Sequence, residues 1–124
     1  MFLGLEHVAI SSVNPDVLAD WYVQHLNFYV NHKYMGNVFI KAPNGAVLEI
    51  IPNKGEPRPE SAMTTPGLRH MAILVDDFDG ARQHLMNQGV EVREPFMVGD
   101  NRLAFFTDPE GNLIHLIKRT TPLP

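Results

Sequence analysis

His7, Glu49, His70 and His115 are the residues of this sequence best suited to chemistry. Each stands in or beside an apolar run, where a polar side chain needs a reason because buried polar groups need partners. Their spacing is ordered. LEHVAISS (5–12) returns as LRHMAILV (68–75), which sets His70 on His7 and Ala72 on Ala9. APNGAVLEIIP (42–52) returns in TDPEGNLIHLIK (107–118), which sets His115 on Glu49. Three imidazoles and one carboxylate suit a divalent ion such as Zn²⁺, Ni²⁺, Fe²⁺, Co²⁺ or Mn²⁺, with room for water or substrate. Taken singly, each residue has an ordinary structural explanation. His7 and His70 could be satisfied strand histidines, Glu49 the partner of a nearby cation, and His115 a hydrogen-bonding group across a sheet. Their joint agreement with the repeat is what favours one shared site.

The elements that must position these residues follow from pattern. The first strand places Val8 and Ile10 on one face and His7 and Ala9 on the other. Asn14-Pro15 predicts a helix start, with Asn14 as N-cap and Pro15 in the first turn. Val17, Leu18, Trp21, Tyr22 and His25/Leu26 form its apolar stripe, and Asn27 suits a left-handed end. Strands are predicted at 28–34, 37–41 and 46–51. The second half restarts the same order. Asp77 is the N-cap, Phe78, Ala81, Leu85 and Met86 form the stripe, Gly89 suits the helix end, and strands are expected at about 90–98, 102–107 and 113–118. In the turn before the last strand, Pro109 presets φ and Gly111 tolerates a positive value. Between the halves, 53–66 is rich in proline and poor in apolar residues, the composition of a semi-stiff linker. The chain is thus predicted to be α+β, a duplicated βαβββ unit with modules at about 1–52 and 67–119. Three more histidines stay outside the constellation: His25 and His84 fall on helices, and His32 lies towards the end of an early strand, so surface roles are expected.

Global figures narrow the partners. Net charge is −4, with Lys and Arg scattered singly, whereas a nucleic-acid surface needs a clustered basic face. With no cysteine, disulfides, thiolate metal sites and a cysteine nucleophile are excluded. No apolar run approaches the roughly 20 residues of a membrane span and no signal peptide is evident, so a cytoplasmic location is the expectation.

The duplicated βαβββ order, the two matched first strands, the WYVQHLNF helix end and the DPEGN turn together resemble the vicinal oxygen chelate superfamily. That group includes glyoxalase I, bleomycin-resistance proteins, fosfomycin-resistance enzymes, methylmalonyl-CoA epimerase and extradiol dioxygenases. The resemblance covers essentially the whole chain. It implies a single domain of two modules, with curved sheets forming a half-open barrel around a divalent metal that binds two neighbouring substrate oxygens. Carried over by position, the ligands fall on His7, Glu49, His70 and His115. His115 departs from the pattern, which usually has glutamate there. Dioxygenase-like and fosfomycin-resistance-like members would need that carboxylate, whereas glyoxalase- and epimerase-like members use all four positions.

The expected function is therefore a metal-dependent lyase or isomerase of glyoxalase I type, acting through a metal-chelated enediolate of a small oxygenated substrate. Glu49 is expected to serve as ligand and general base, since it is the only carboxylate of the four. Asn101, Arg102 and Phe105, on or beside the strand preceding the DPEGN turn, are candidate substrate-pocket residues. A non-catalytic, bleomycin-resistance-like binding protein and an Fe²⁺ dioxygenase are the alternatives. A homodimer is expected, because one helix per module covers only one sheet face. The site would lie within one chain or be shared between two.

Overall fold

The computed structural model describes residues 1–124, which divide into two compact units, Met1–Pro59 and Glu60–Pro124. Each unit is one βαβββ module, and the fold is α+β. The division between Pro59 and Glu60 falls inside the proline-rich stretch.

In the first unit the order is β1 (Val8–Ser12), α1 (Pro15–Leu26), β2 (Tyr29–Tyr34), β3 (Asn37–Lys41) and β4 (Val47–Pro52). The four strands form one sheet in the order β1-β4-β3-β2, parallel between β1 and β4 and antiparallel elsewhere. Helix α1 starts where its cap chemistry allows. Asn14 is extended, and its Oδ1 accepts the Val17 N–H, one of the helix's orphan donors. It ends at Asn27, which takes a left-handed φ of 64° and donates its N–H to the Tyr22 carbonyl. Leu18, Ala19, Tyr22 and Leu26 are buried against the sheet residues Val38, Ile40, Leu48 and Ile50. Val17, expected in the apolar stripe, is exposed instead, because the buried face is centred on Leu18 and Tyr22.

The second unit repeats the plan with β5 (Met71–Leu74), α2 (Phe78–Asn87), β6 (Phe96–Val98), β7 (Asn101–Thr107) and β8 (Leu113–Lys118), in sheet order β5-β8-β7-β6. The side chain of Asp77 accepts the Gly80 N–H at the start of α2. Phe78 and Leu85 are buried, whereas Met86 is exposed. Three expected strands are shorter than their patterns. β6 spans only Phe96–Val98, since Pro95 cannot donate to a ladder. The first strands begin at Val8 and Met71, so His7 and His70 sit one residue ahead of the ladders rather than within them.

The turn before β8 is held by one side chain. The Gly111 N–H donates to the Asp108 carbonyl at 3.0 Å, and Gly111 takes φ 88°. Buried Asp108 accepts from the N–H groups of Glu110 (2.9 Å) and Asn112 (3.0 Å) and from Asn112 Nδ2 (2.7 Å). These bonds to a carboxylate aim β8, and with it His115. Asp108→Ala leaves three donors seeking partners and should destabilise the protein by about 2–3 kcal/mol. Urea unfolding followed by circular dichroism measures this, and a loss below about 0.5 kcal/mol, the scale of a neutral surface change, would contradict it.

Candidate functional site

The first and last strands of each module are parallel neighbours, and their register creates a pair of polar side chains in each. Ala9 lies beside Glu49 and Ala72 beside His115. The small alanines leave room for the side chain that precedes each by two residues, His7 in one unit and His70 in the other.

In the first unit, His7 Nε2 lies 3.5 Å from Glu49 Oε1. The other polar atoms of both groups are committed. His7 Nδ1 is 3.0 Å from Glu6 Oε1, and in the tautomer that donates to Glu6 the Nε2 atom holds the lone pair. Glu49 Oε2 accepts from Asn37 Nδ2 at 3.1 Å. In that tautomer two acceptor atoms face each other. A separation of 3.5 Å suits two ligand atoms of one ion, since bonds of about 2.0–2.2 Å at tetrahedral angles place ligand atoms about 3.3–3.6 Å apart. The Glu6–His7 contact is of the kind that orients metal-binding histidines. The donor set fits a divalent ion.

In the second unit the rings of His70 and His115 approach to 4.7 Å between centroids. His115 is buried, and its Nδ1–H donates to the Leu116 carbonyl at 3.1 Å, again leaving Nε2 with the lone pair. Burial holds the His115 imidazole below its ordinary range; the Leu116 carbonyl opposes this, while the charges of His70 and Arg119 add to it. Neither unit by itself gathers three His, Asp or Glu side chains able to hold a metal.

An aromatic ring lies against each pair. Phe39 is the ladder partner of Glu49 and Phe105 that of His115. Phe39 lies 5.6 Å from the His7 ring, and Phe105 lies 6.0 Å from His70 and 5.0 Å from His115. Phe96 stacks on Phe105 at 5.9 Å.

The chain matches a model of the glyoxalase/bleomycin resistance protein/dioxygenase superfamily over residues 4–116. It belongs to that superfamily. A curated relative, biphenyl-2,3-diol 1,2-dioxygenase 2 of Rhodococcus globerulus, is 27% identical over 89% of this chain, and the alignment spans 60% of the relative's length. The uncharacterised protein YaeR of Escherichia coli (strain K12) is 29% identical, with 94% of this chain and 99% of that protein covered. The solved structure of a glyoxalase family protein from Enterococcus faecalis matches with TM-score 0.75 and 28% identity, covering 94% of this chain and 98% of that one.

Of the three candidate pocket residues, only Phe105 touches a member of the superfamily-type pairs. Asn101 accepts the Thr120 N–H through Oδ1 at 3.4 Å. Arg102 lies on the opposite face of β7, where strand alternation places it towards α2. Its Nη1 is 2.9 Å from Asp79 Oδ1, and its guanidinium sits 4.4 Å over the Phe78 ring. Asn37, Phe39 and Phe96 were not among the candidates, and His32, expected at the surface, is exposed. Phe39 was legible as the repeat of Phe105. Its contact with His32 was not. A bulge between Val30 and His32 shifts the register so that His32 opposes Phe39, with the rings 5.9 Å apart on the face of Glu49.

The His115 environment makes stability depend on pH. Folding lowers its affinity for protons, so protons favour the unfolded chain. Its contribution is intact above the unfolded value of 6.5 and is lost as pH falls through that value and on through the lower folded one. In chelator-treated protein, His115→Gln should therefore make the fall in stability between about pH 7 and pH 5 shallower. Denaturant titrations across that range check it, and an unchanged slope would contradict it.

Proposed function

We propose that this protein is a divalent-metal-dependent lyase or isomerase that moves a proton between adjacent carbons of a small oxygenated substrate. The observation that carries this reading is the facing pair of His7 Nε2 and Glu49 Oε1, 3.5 Å apart with their other polar atoms already engaged. An ion with protein ligands commonly takes three or four of them, and each module offers two. The proposed ligand set is His7, Glu49, His70 and His115, drawn from one chain or from two copies in a homodimer. The equivalence of these positions in the repeat and the chain's superfamily support that set.

The ion, once held, supplies positive charge opposite an oxygen that becomes negative when the neighbouring C–H is broken. The remaining work falls to the chain. Glu49 takes the proton from carbon and returns it to the adjacent one, because it alone of the four has a second heteroatom lone pair to offer. His7, His70 and His115 hold fixed tautomers or positions and do not move protons. Phe39 and Phe105 supply apolar surface beside the pairs, on which a carbon skeleton can rest.

Glu49→Gln should keep the fold and much of the bound metal, since an amide oxygen still coordinates weakly. Exchange of the substrate α-proton with deuterated solvent should slow by a factor on the order of 10²–10⁴. Wild-type exchange in a metal-replete variant would show that Glu49 is not the base. Metal assay of the freshly purified protein tests the reading as a whole, and a protein that takes up no divalent ion would instead be a small-molecule binder.

A second reading, an Fe²⁺ dioxygenase, is favoured by the similarity to the Rhodococcus globerulus dioxygenase. Against it stands His115, where the dioxygenase-like pattern places a carboxylate. Oxygen consumption by the iron-loaded protein with a catechol separates the two. The proposed homodimer is checked by sedimentation, with a monomer at micromolar concentration as the contrary result.

A further inference from the structure

We infer that Asn37 is a positioning residue that fixes which oxygen of Glu49 faces the metal, an inference that rests on the metal-dependent reading above. Asn37 is the first residue of β3, two before Phe39, the ladder partner of Glu49. Alternation therefore puts Asn37 and Glu49 on one face. Its Nδ2 donates to Glu49 Oε2 at 3.1 Å. The amide must present its nitrogen here, because an amide oxygen would repel the carboxylate.

The consequence lies in how a carboxylate turns. The last torsion of glutamate is broad and roughly two-fold, so an unrestrained Glu49 could present either oxygen, or both, to an ion. Asn37 holds Oε2 and leaves Oε1 as the atom facing His7 Nε2. Glu49 is thereby held as a one-oxygen ligand while its second oxygen keeps a lone pair for other use. On the opposite side, Glu6 does the corresponding work for His7 by engaging Nδ1. The pair is thus gripped from both ends, with His7 Nε2 and Glu49 Oε1 directed at each other at 3.5 Å.

No other side-chain hydrogen bond requires Asn37 to be an amide. Its place opposite Tyr34 in the antiparallel ladder is a backbone matter that other strand residues fill equally well. Asn37→Val is accordingly expected to fold, and Asn37→Leu serves as a second variant should valine disturb β3.

The test is titration of the metal-free protein with Co²⁺, reading affinity by calorimetry and coordination by the visible absorption of the bound ion. The variant should bind about 10- to 100-fold more weakly, the usual cost of losing a group that orients a ligand. Its visible spectrum should also change, as Glu49 leaves its single-oxygen mode. A double-mutant cycle separates positioning from general structure. If Asn37 acts through Glu49, then in a Glu49→Ala background Asn37→Val should have no further effect on Co²⁺ affinity. Wild-type Co²⁺ affinity and spectrum in Asn37→Val, or an undiminished effect in the Glu49→Ala background, would overturn the inference while leaving the metal-dependent reading in place. Failure of the wild-type protein itself to bind Co²⁺ would overturn both.

Discussion

The parallel pairing of first and last strands within each module is the constraint on which the rest depends. In a βαβββ unit the helix carries the chain from the first strand to the far edge of the sheet, and the three antiparallel strands that follow bring β4 back beside β1, and β8 beside β5. Register then sets an alanine next to the polar residue of the last strand, Ala9 by Glu49 and Ala72 by His115. A larger residue at either alanine would occupy the space through which His7 or His70 approaches its partner. A slip of one residue would turn Glu49 or His115 onto the helix-covered face, where Val38, Ile40 and Ile50 leave a carboxylate no partner. Apolar packing on the helix side therefore locks the polar pairs on the other side.

That coupling explains why much was legible from sequence. Duplication, caps and alternation all act locally, and Asn14, Asp77, Asn27 and Gly111 do in the structure what their chemistry predicts. Matched positions in two copies singled out His7, Glu49, His70 and His115, and within each unit the structure sets His7 by Glu49 and His70 by His115. Three features escaped, each for its own reason. The bulge that brings His32 against Phe39 inserts one residue without any sequence signature. The turning of Arg102 towards Asp79 and Phe78 was available from alternation, since 102 and 105 must lie on opposite faces, but its charge invited a pocket role. Asn37 escaped for a third reason. A hydrogen bond across two strands depends on their relative stagger, which residue types alone do not state.

The grips on the pairs matter as much as the pairs. Imidazole and carboxylate placed near each other usually form a hydrogen bond, and such a bond would occupy the lone pair a metal needs. Here Glu6 lies at His7 Nδ1 and Asn37 donates to Glu49 Oε2, and with the His7 hydrogen on Nδ1 the remaining pair is acceptor facing acceptor at 3.5 Å. Such an arrangement gains from any cation placed between the two atoms, whether a proton or a metal ion. Leu116 plays the matching part in the second unit through its carbonyl, which fixes the tautomer of His115. Each unit thus reaches the same end with different partners.

The two pairs are not equivalent, and the difference divides the labour between them. The first unit's pair contains a carboxylate whose side chain is 15% exposed and whose partner His7 is 33% exposed, so protons and substrate can reach it. The second unit's pair has only imidazoles, with His70 exposed and His115 at 4% exposure against Phe105. A buried neutral imidazole with its Nδ1–H committed is a rigid ligand and a poor proton carrier, because protonation would place charge where burial opposes it. Replacing the pattern's usual glutamate by His115 removes one negative charge from the ligand set. The proposed ion is then less neutralised by its ligands and attracts an anionic oxygen more strongly. In the proposed reaction the same exchange would remove the second candidate base and leave proton transfer to Glu49 alone.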